Sequence, residues 1–250
     1  MSGHSKWSSI KHKKGAADAK RGALFTKLSK AISVAAREGG PEPGANLALQ
    51  NAIEKARSYS MPKDTIERAI SRGSGADAEG VSYETVVYEG YGPEGVAVLV
   101  EALTDNRNRT ASEVRHLFSK FGGNLGATGA VAWQFERRGV LLVSADSVDE
   151  DELMLTAADA GADDVELDES TYQVTCAPDA LREVRESLEA AGYVIESAEL
   201  SMIPKTTVGI SDEAAARKVL RLVEGLEDAD DVQDVYANFD ISEALLEAVV

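Results

Sequence analysis

The hydrophobic period of this chain first changes near Tyr83. Up to Arg72 the apolar residues recur at three- and four-residue spacing, and from Tyr83 onward period-two and β-branched runs take over. The first spacing lines one face of a helix and the second one face of a strand. A helical unit followed by a sheet-bearing remainder is therefore required, with the Gly- and Ser-containing stretch 73–80 as the joint between them.

In the helical part, Leu24, Phe25, Leu28, Ile32 and Ala35 predict a helix over about 16–38, stopped by Gly39 and Gly40. Leu49, Ile53 and Ala56 mark a second over 46–58, and a third runs from Pro62 to Arg72, ahead of Gly73. The first fifteen residues have no period and read as an extended arm.

In the remainder, strands over 83–88 and 96–103 meet at the turn 90–95. Thr110, with Glu113 three residues on, reads as a capping box opening a helix to Phe121, and Ala130 to Phe135 reads as a strand. From 139 to 200 the order is strand 140–144, helix 149–160, strands 164–167 and 172–177, helix 178–191 and strand 194–200. Leu181, Val184, Leu188 and Ala191 give the second of those helices one buried face, so both helices should cover one side of an antiparallel sheet. A tail helix over 212–227 and strand over 232–239 are too little for another domain and complete the unit begun at Tyr83. The expected class is α+β. A three-helix domain (1–75) precedes a discontinuous α/β domain (81–137 plus 203–250), into which a ferredoxin-like βαββαβ domain (138–202) is inserted.

Charge follows the same division. Of the 250 residues, 1–75 hold 14 Lys/Arg against six Asp/Glu, and 76–250 hold 12 against 37, so a net charge of −17 hides a basic third. Screening over roughly 8 Å at physiological salt lets that third present its own positive field. Lys6, Lys11, Lys13, Lys14, Lys20, Arg21, Lys27, Lys30 and Arg37 face only Asp18 as an acid before Glu38, and Trp7 sits among them. Such lysines neutralise phosphates and release counterions, and an indole stacks on an exposed base. The loop 104–109 adds Arg107 and Arg109 ahead of a helix N-terminus, a second candidate anion contact. The partner expected from these features is nucleic acid, either DNA or ribosomal RNA on the ribosome.

Other chemistry lacks its parts. His4, His12 and His116 have no metal-ligand spacing with Cys176, which reads as a small core hydrophobe. The loop GGNLGATG at 122–129 lacks the Lys-Ser/Thr ending of a phosphate cradle and reads as a turn. Acidic clusters at 149–152 and 227–231 fall at helix ends, and no nucleophile, base or metal set is assembled, so no enzyme is expected. Neither a bilayer-spanning apolar run nor a secretory signal is legible. The expectation is a cytoplasmic monomer with no membrane partner, small-molecule substrate or metal.

Three separated motifs, GHSKWSSIKHKKG at 3–15, YEGYGPEGVA at 88–97 and TDNRNRT at 104–110 running on to GGNLG at 122–126, resemble the YebC/PmpR family of probable transcriptional regulatory proteins. The resemblance spans essentially the whole chain. It implies a cytoplasmic protein of three domains with no cofactor. It also implies either DNA-binding transcriptional regulation or, as in the related mitochondrial translational activator, action on translation at the ribosome, including relief of stalling at proline-rich stretches. One departure stands out: Glu94 occupies a turn position where many members carry Gly.

Overall fold

The computed structural model describes residues 18–75, 83–146, 148–168 and 171–249, with backbone alone at 18–20, 168, 243 and 247. Three helices open it: α1 (Asp18–Gly39), α2 (Leu47–Ser58) and α3 (Lys63–Ser74). The expected stripes meet in one core, where Leu28, Ile32, Leu49, Ile53, Ala56, Ile66 and Ala69 are all buried. Asn46 caps α2, its side chain accepting from the Leu49 amide, and donates in turn to the Ala35 and Gly40 carbonyls, which pins the α1–α2 connection.

Four antiparallel strands follow in the order β3 (Asn124–Leu125), β1 (Glu84–Tyr91), β2 (Ala97–Thr104), β9 (Val232–Ala237). β2 alternates between two cores. Val98 and Val100 face α4 (Arg107–Lys120) and α7 (Glu213–Glu227), where Phe118, Leu222 and Leu226 are fully buried; Ala97 and Leu99 face Val131, Phe135 and Tyr236. A central strand covered on both sides reads as a continuous apolar run, as AVLVEALT does. The parallel pair β8 (Val208–Ile210) and β10 (Phe239–Ile241) and the terminal α8 (Glu243–Val249) close this unit.

The second sheet has the order β5 (Ala162–Asp168), β6 (Thr171–Cys176), β4 (Phe135–Ser144), β7 (Ile195–Pro204), antiparallel throughout. With α5 (Glu150–Asp159) and α6 (Leu181–Ala190) in the two crossovers, this is the ferredoxin-like βαββαβ arrangement. Leu141, Val143, Leu153, Val174, Val184 and Leu188 form its core. Ala191, expected on that face, is instead the exposed C-cap of α6. Cys176 is fully buried there, and burial pushes its thiol up to about 11, so it packs as a hydrophobe.

Two expected boundaries are corrected. Helix α4 starts one turn earlier than the Thr110 capping box: Asn106 is the cap, accepting from the Arg109 amide, and Thr110 is buried within the first turn. The stretch 130–135 is not a strand, because 132–134 form a 3-10 turn and β4 begins only at Phe135. Its cause is Glu89, a buried carboxylate that accepts from the amides of Gly129, Val131 and Ala132 and so curls the chain around itself. Burial pushes Glu89 up, but those three donors outweigh it and hold its carboxyl below the ordinary range.

Two backbone sites carry predictions. A Cβ on Gly73 of α3 would lie 2.1 Å from the Ser33 carbonyl oxygen of α1, whose hydroxyl already donates to Ala69. Gly to Ala inside a helix ordinarily gains up to about 1 kcal/mol, but Gly73→Ala should instead cost roughly 2 kcal/mol by forcing α1 and α3 apart, measured by denaturant unfolding. Glu94 has φ 60°, the left-handed region that costs a side-chain-bearing residue about 1 kcal/mol. That conformation suits glycine, and Glu94→Gly should raise stability by a few tenths to about 1 kcal/mol in the same assay.

Candidate nucleic-acid interface

The basic residues of the helical domain divide by the side of the helix they occupy. Lys27 and Lys30, one turn apart on α1, share a face that turns toward the sheet. Lys27 is 9% exposed and donates to the Glu227 carbonyl at 2.6 Å, at the end of α7. Lys30 donates to Asp231 at 2.9 Å and lies 4.8 Å from the Tyr83 ring centroid. Lys55 of α2 pairs with Asp234 of β9. Three lysine ammoniums therefore hold the helical domain onto the acidic loop and strand that follow α7.

Asp231 collects the most. Besides Lys30, its carboxylate accepts from Arg109 at 2.7 Å, Thr110 at 2.7 Å and Thr104 at 3.2 Å, and its backbone carbonyl accepts from the Leu103 amide. Burial pushes this carboxyl up, but the donors from Arg109, Lys30 and Thr110 win and hold it well below the usual carboxylate range. Arg109 bonds Asp105 as well, at 2.8 Å. The loop 104–109 and the α1 lysines, far apart in sequence, are thus neighbours around one carboxylate.

Beside Lys55 a cavity of about 440 Å³ opens between the helical domain and both sheets, with Glu101, Glu199, Asp234 and Arg137 among its lining. Burial raises the Glu199 and Glu101 carboxyls, and the neighbouring Asp234 raises both further. Burial lowers Lys55, yet Asp234 and Glu199 more than restore it, so it stays charged and balances the acids around it. Among the described residues no group of three or more His, Cys, Asp or Glu could hold a metal ion.

The outward face of the helical domain is different. Arg21 and Arg37 of α1, Arg57 of α2, and Lys63, Arg68 and Arg72 of α3 are exposed. Arg57, Arg68 and Arg72 were not among the expected site residues. Their signal was present in the helical period, because Ile66, Ala69 and Gly73 fill the buried face of α3 and leave Arg68 and Arg72, four apart, on the other. Of the expected contacts, Lys6, Trp7, Lys11, Lys13 and Lys14 lie outside the described residues, as does the Lys20 side chain. Arg107 is 63% exposed, 3.6 Å from Glu84. Lys27 and Lys30 direct their charge into the junction, whereas Arg109 pairs with Asp231 and Asp105 while its side chain stays 52% exposed.

The molecule is thus a helical domain locked by inward lysines to an acidic pair of sheets, and among the described residues no helix is long and apolar enough to cross a membrane. The family models for the TACO1/YebC protein N-terminal domain and for the TACO1/YebC second and third domain match residues 5–76 and 83–239. The chain belongs to the TACO1/YebC family. A probable transcriptional regulatory protein of Rubrobacter xylanophilus is 60% identical over 249 residues, covering 100% of this chain and 99% of that one. Another from Persephonella marina is 56% identical with both chains fully covered. The crystal structure of a conserved hypothetical protein from Aquifex aeolicus superposes with a TM-score of 0.81 at 52% identity, covering 94% of this chain and 96% of that one.

Removing the Asp231 carboxylate strands Lys30 and Arg109. Asp231→Ala should cost roughly 3 kcal/mol at neutral pH. Because its folded pKa is depressed, the contribution is complete above the unfolded value of about 3.9 and is lost as pH falls below it. The stability difference between wild type and variant should therefore start to shrink at about pH 4 and go on shrinking as pH falls further.

Proposed function

We propose that this protein is a non-enzymatic regulator of gene expression that binds nucleic acid through the outer face of its helical domain. One observation carries the reading: Lys27, Lys30 and Lys55 turn inward onto a carbonyl and two carboxylates, while Arg21, Arg68 and Arg72 are exposed on the same helical domain. Arginine at such positions suits bidentate contact with phosphate oxygens. The basic residues Lys6, Lys11, Lys13, Lys14 and Lys20, with Trp7 as a stacking ring, extend that contact, and Arg107 adds a further cation at the edge of the junction. The proposed target is DNA, bound in the cytoplasm by a monomer; a role in transcriptional regulation is in keeping with the names of the relatives.

A second reading rests on the acidic remainder. With 37 Asp/Glu against 12 Lys/Arg over 76–250, it suits a partner that offers basic protein beside phosphate, which a ribosome does and a bare duplex does not. Backbone and shape readout of structured RNA needs few base-edge contacts, which suits a chain whose cations are spread over several helices.

The test is titration of the full-length protein with duplex DNA and with structured RNA between about 50 and 200 mM salt. Deletion of residues 1–15 and the double variant Arg68→Glu/Arg72→Glu should each weaken binding at least tenfold and flatten the salt slope. Unchanged affinity and slope in both would refute the interface. Salt-sensitive co-sedimentation with ribosomes, against enrichment of promoter DNA after crosslinking, decides between the two targets.

A further inference from the structure

Two stretches of the acidic remainder contain no acid. Between Glu113 and Glu136 there is no Asp or Glu, while Arg115, His116 and Lys120 occur; between Glu199 and Asp212 there is again none, and Lys205 occurs. In a region with 37 acids over 175 residues, two such gaps would be unremarkable if they lay apart. They are in contact. The Lys205 amide donates to the Gln134 carbonyl at 2.7 Å, Phe135 pairs with Pro204 across β4 and β7, and Asn238 bonds both the Gln134 side chain and the Thr206 carbonyl.

On this surface stands Trp133, 67% exposed, with Tyr91 beside it at 38%. An exposed tryptophan usually wanders between rotamers, but here both aromatic groups are tethered to one atom. The indole N–H and the Tyr91 hydroxyl each donate to the Ala130 carbonyl at 3.1 Å. Ala130 is held in turn by the turn that Glu89 organises through the Gly129, Val131 and Ala132 amides, and Gly126 donates to the Glu89 carbonyl. The indole edge is satisfied and its position set, which leaves its face to solvent. Gly126, Ala127, Thr128 and Gly129 around it are small, so a flat ligand can approach, while no apolar rim surrounds it as at a protein hot spot. Of the acids near this surface, Glu89 is buried in its amide cradle, Glu136 pairs with Arg138 at 3.1 Å, and Glu94 stands at the β1–β2 turn.

Resting on the nucleic-acid reading above, we propose that Trp133 is a stacking platform for an unpaired base of the bound nucleic acid, with Lys205 beside it for a flanking phosphate. A rigid aromatic face with an exposed lysine in the adjoining segment is what single-stranded segments recognise. The occupant is therefore a single-stranded stretch of RNA or DNA, a contact separate from the helical domain's grip on backbone.

The chain's two tryptophans are Trp7 and Trp133, so Trp7→Phe makes Trp133 the reporter in the full-length protein. Mixed-sequence single-stranded RNA and DNA 12-mers and a blunt duplex are titrated in parallel, following both fluorescence and anisotropy. The single strands should quench Trp133 and the duplex should not, and the stronger of the RNA and DNA responses identifies the source. In the otherwise wild-type chain, Trp133→Ala should weaken single-strand binding about tenfold with duplex binding unchanged, Trp133→Tyr should restore most of it, and Lys205→Ala should lower the single-strand salt slope by about 1. Single strands that bind by anisotropy without quenching, and equally well to Trp133→Ala, overturn the platform and assign the exposed ring to a protein partner while leaving the helical interface standing. If neither single strand nor duplex binds, both readings fall.

Discussion

The arrangement of this molecule depends on a carboxylate that almost never meets water. Asp231 sits at the junction of the helical domain, α4 and the first sheet and takes donors from all three: Lys30, Arg109 with Thr110, and Thr104. A buried charge is tolerated only when its lone pairs are filled and its counter-charge is close, and each donor here is fixed by its own secondary-structure element. Geometry at this one atom pair therefore sets the angle between the helices and the sheets. Lys55 with Asp234 and Lys27 with the Glu227 carbonyl supply further points, which makes the attachment a surface rather than a pivot.

This junction changes the meaning of the segregated charge. A basic third next to an acidic remainder looks, as a composition, like a polyanion binder carrying a solubilising acidic mass. In three dimensions part of the opposition is internal, because the inward lysines and the acids of 227–234 neutralise each other and dock the two parts. The same docking orients what is left. With the lysine face held against the acidic sheets, Arg21 of α1 and Arg68 and Arg72 of α3 remain exposed. Long-range repulsion from the acidic mass is screened within about 8 Å, so the outer arginines keep their local field.

Much of this fold was legible because hydrophobic period is a local property. The stripes of α1 and α2, the βαββαβ order and the return of β9 to the first sheet all follow from runs long enough to repeat. Errors arose where a distant side chain intervened. Thr110 and Glu113 satisfy the local grammar of a capping box, but Asp231 draws the Thr110 hydroxyl inward and Asn106 takes the cap. The alternating residues 130–135 fit a strand until Glu89 takes their amides. Strands as short as β3, β8 and β10 carry no period at all. Lys27 and Lys30 count as cations in any window, and charge alone does not say which side of a helix they occupy. Lys27, Ala31 and Val34 at i, i+4 and i+7 form a second flank, and the burial of Val34 shows that this flank too is covered.

The β1–β2 hairpin also fixes how far apart the candidate contacts lie. Arg107 adjoins Glu84 at its open end, and Trp133 reaches Tyr91 at its turn through Ala130. Seven residue steps of about 3.4 Å separate those ends by roughly 24 Å. One ligand touching both must be extended over that distance and expose backbone at one end and an unstacked base at the other. A short regular duplex does not do this, whereas a duplex with a melted segment or a folded RNA with a loop does. A ligand that engaged both of the proposed contacts would therefore mix paired and unpaired regions.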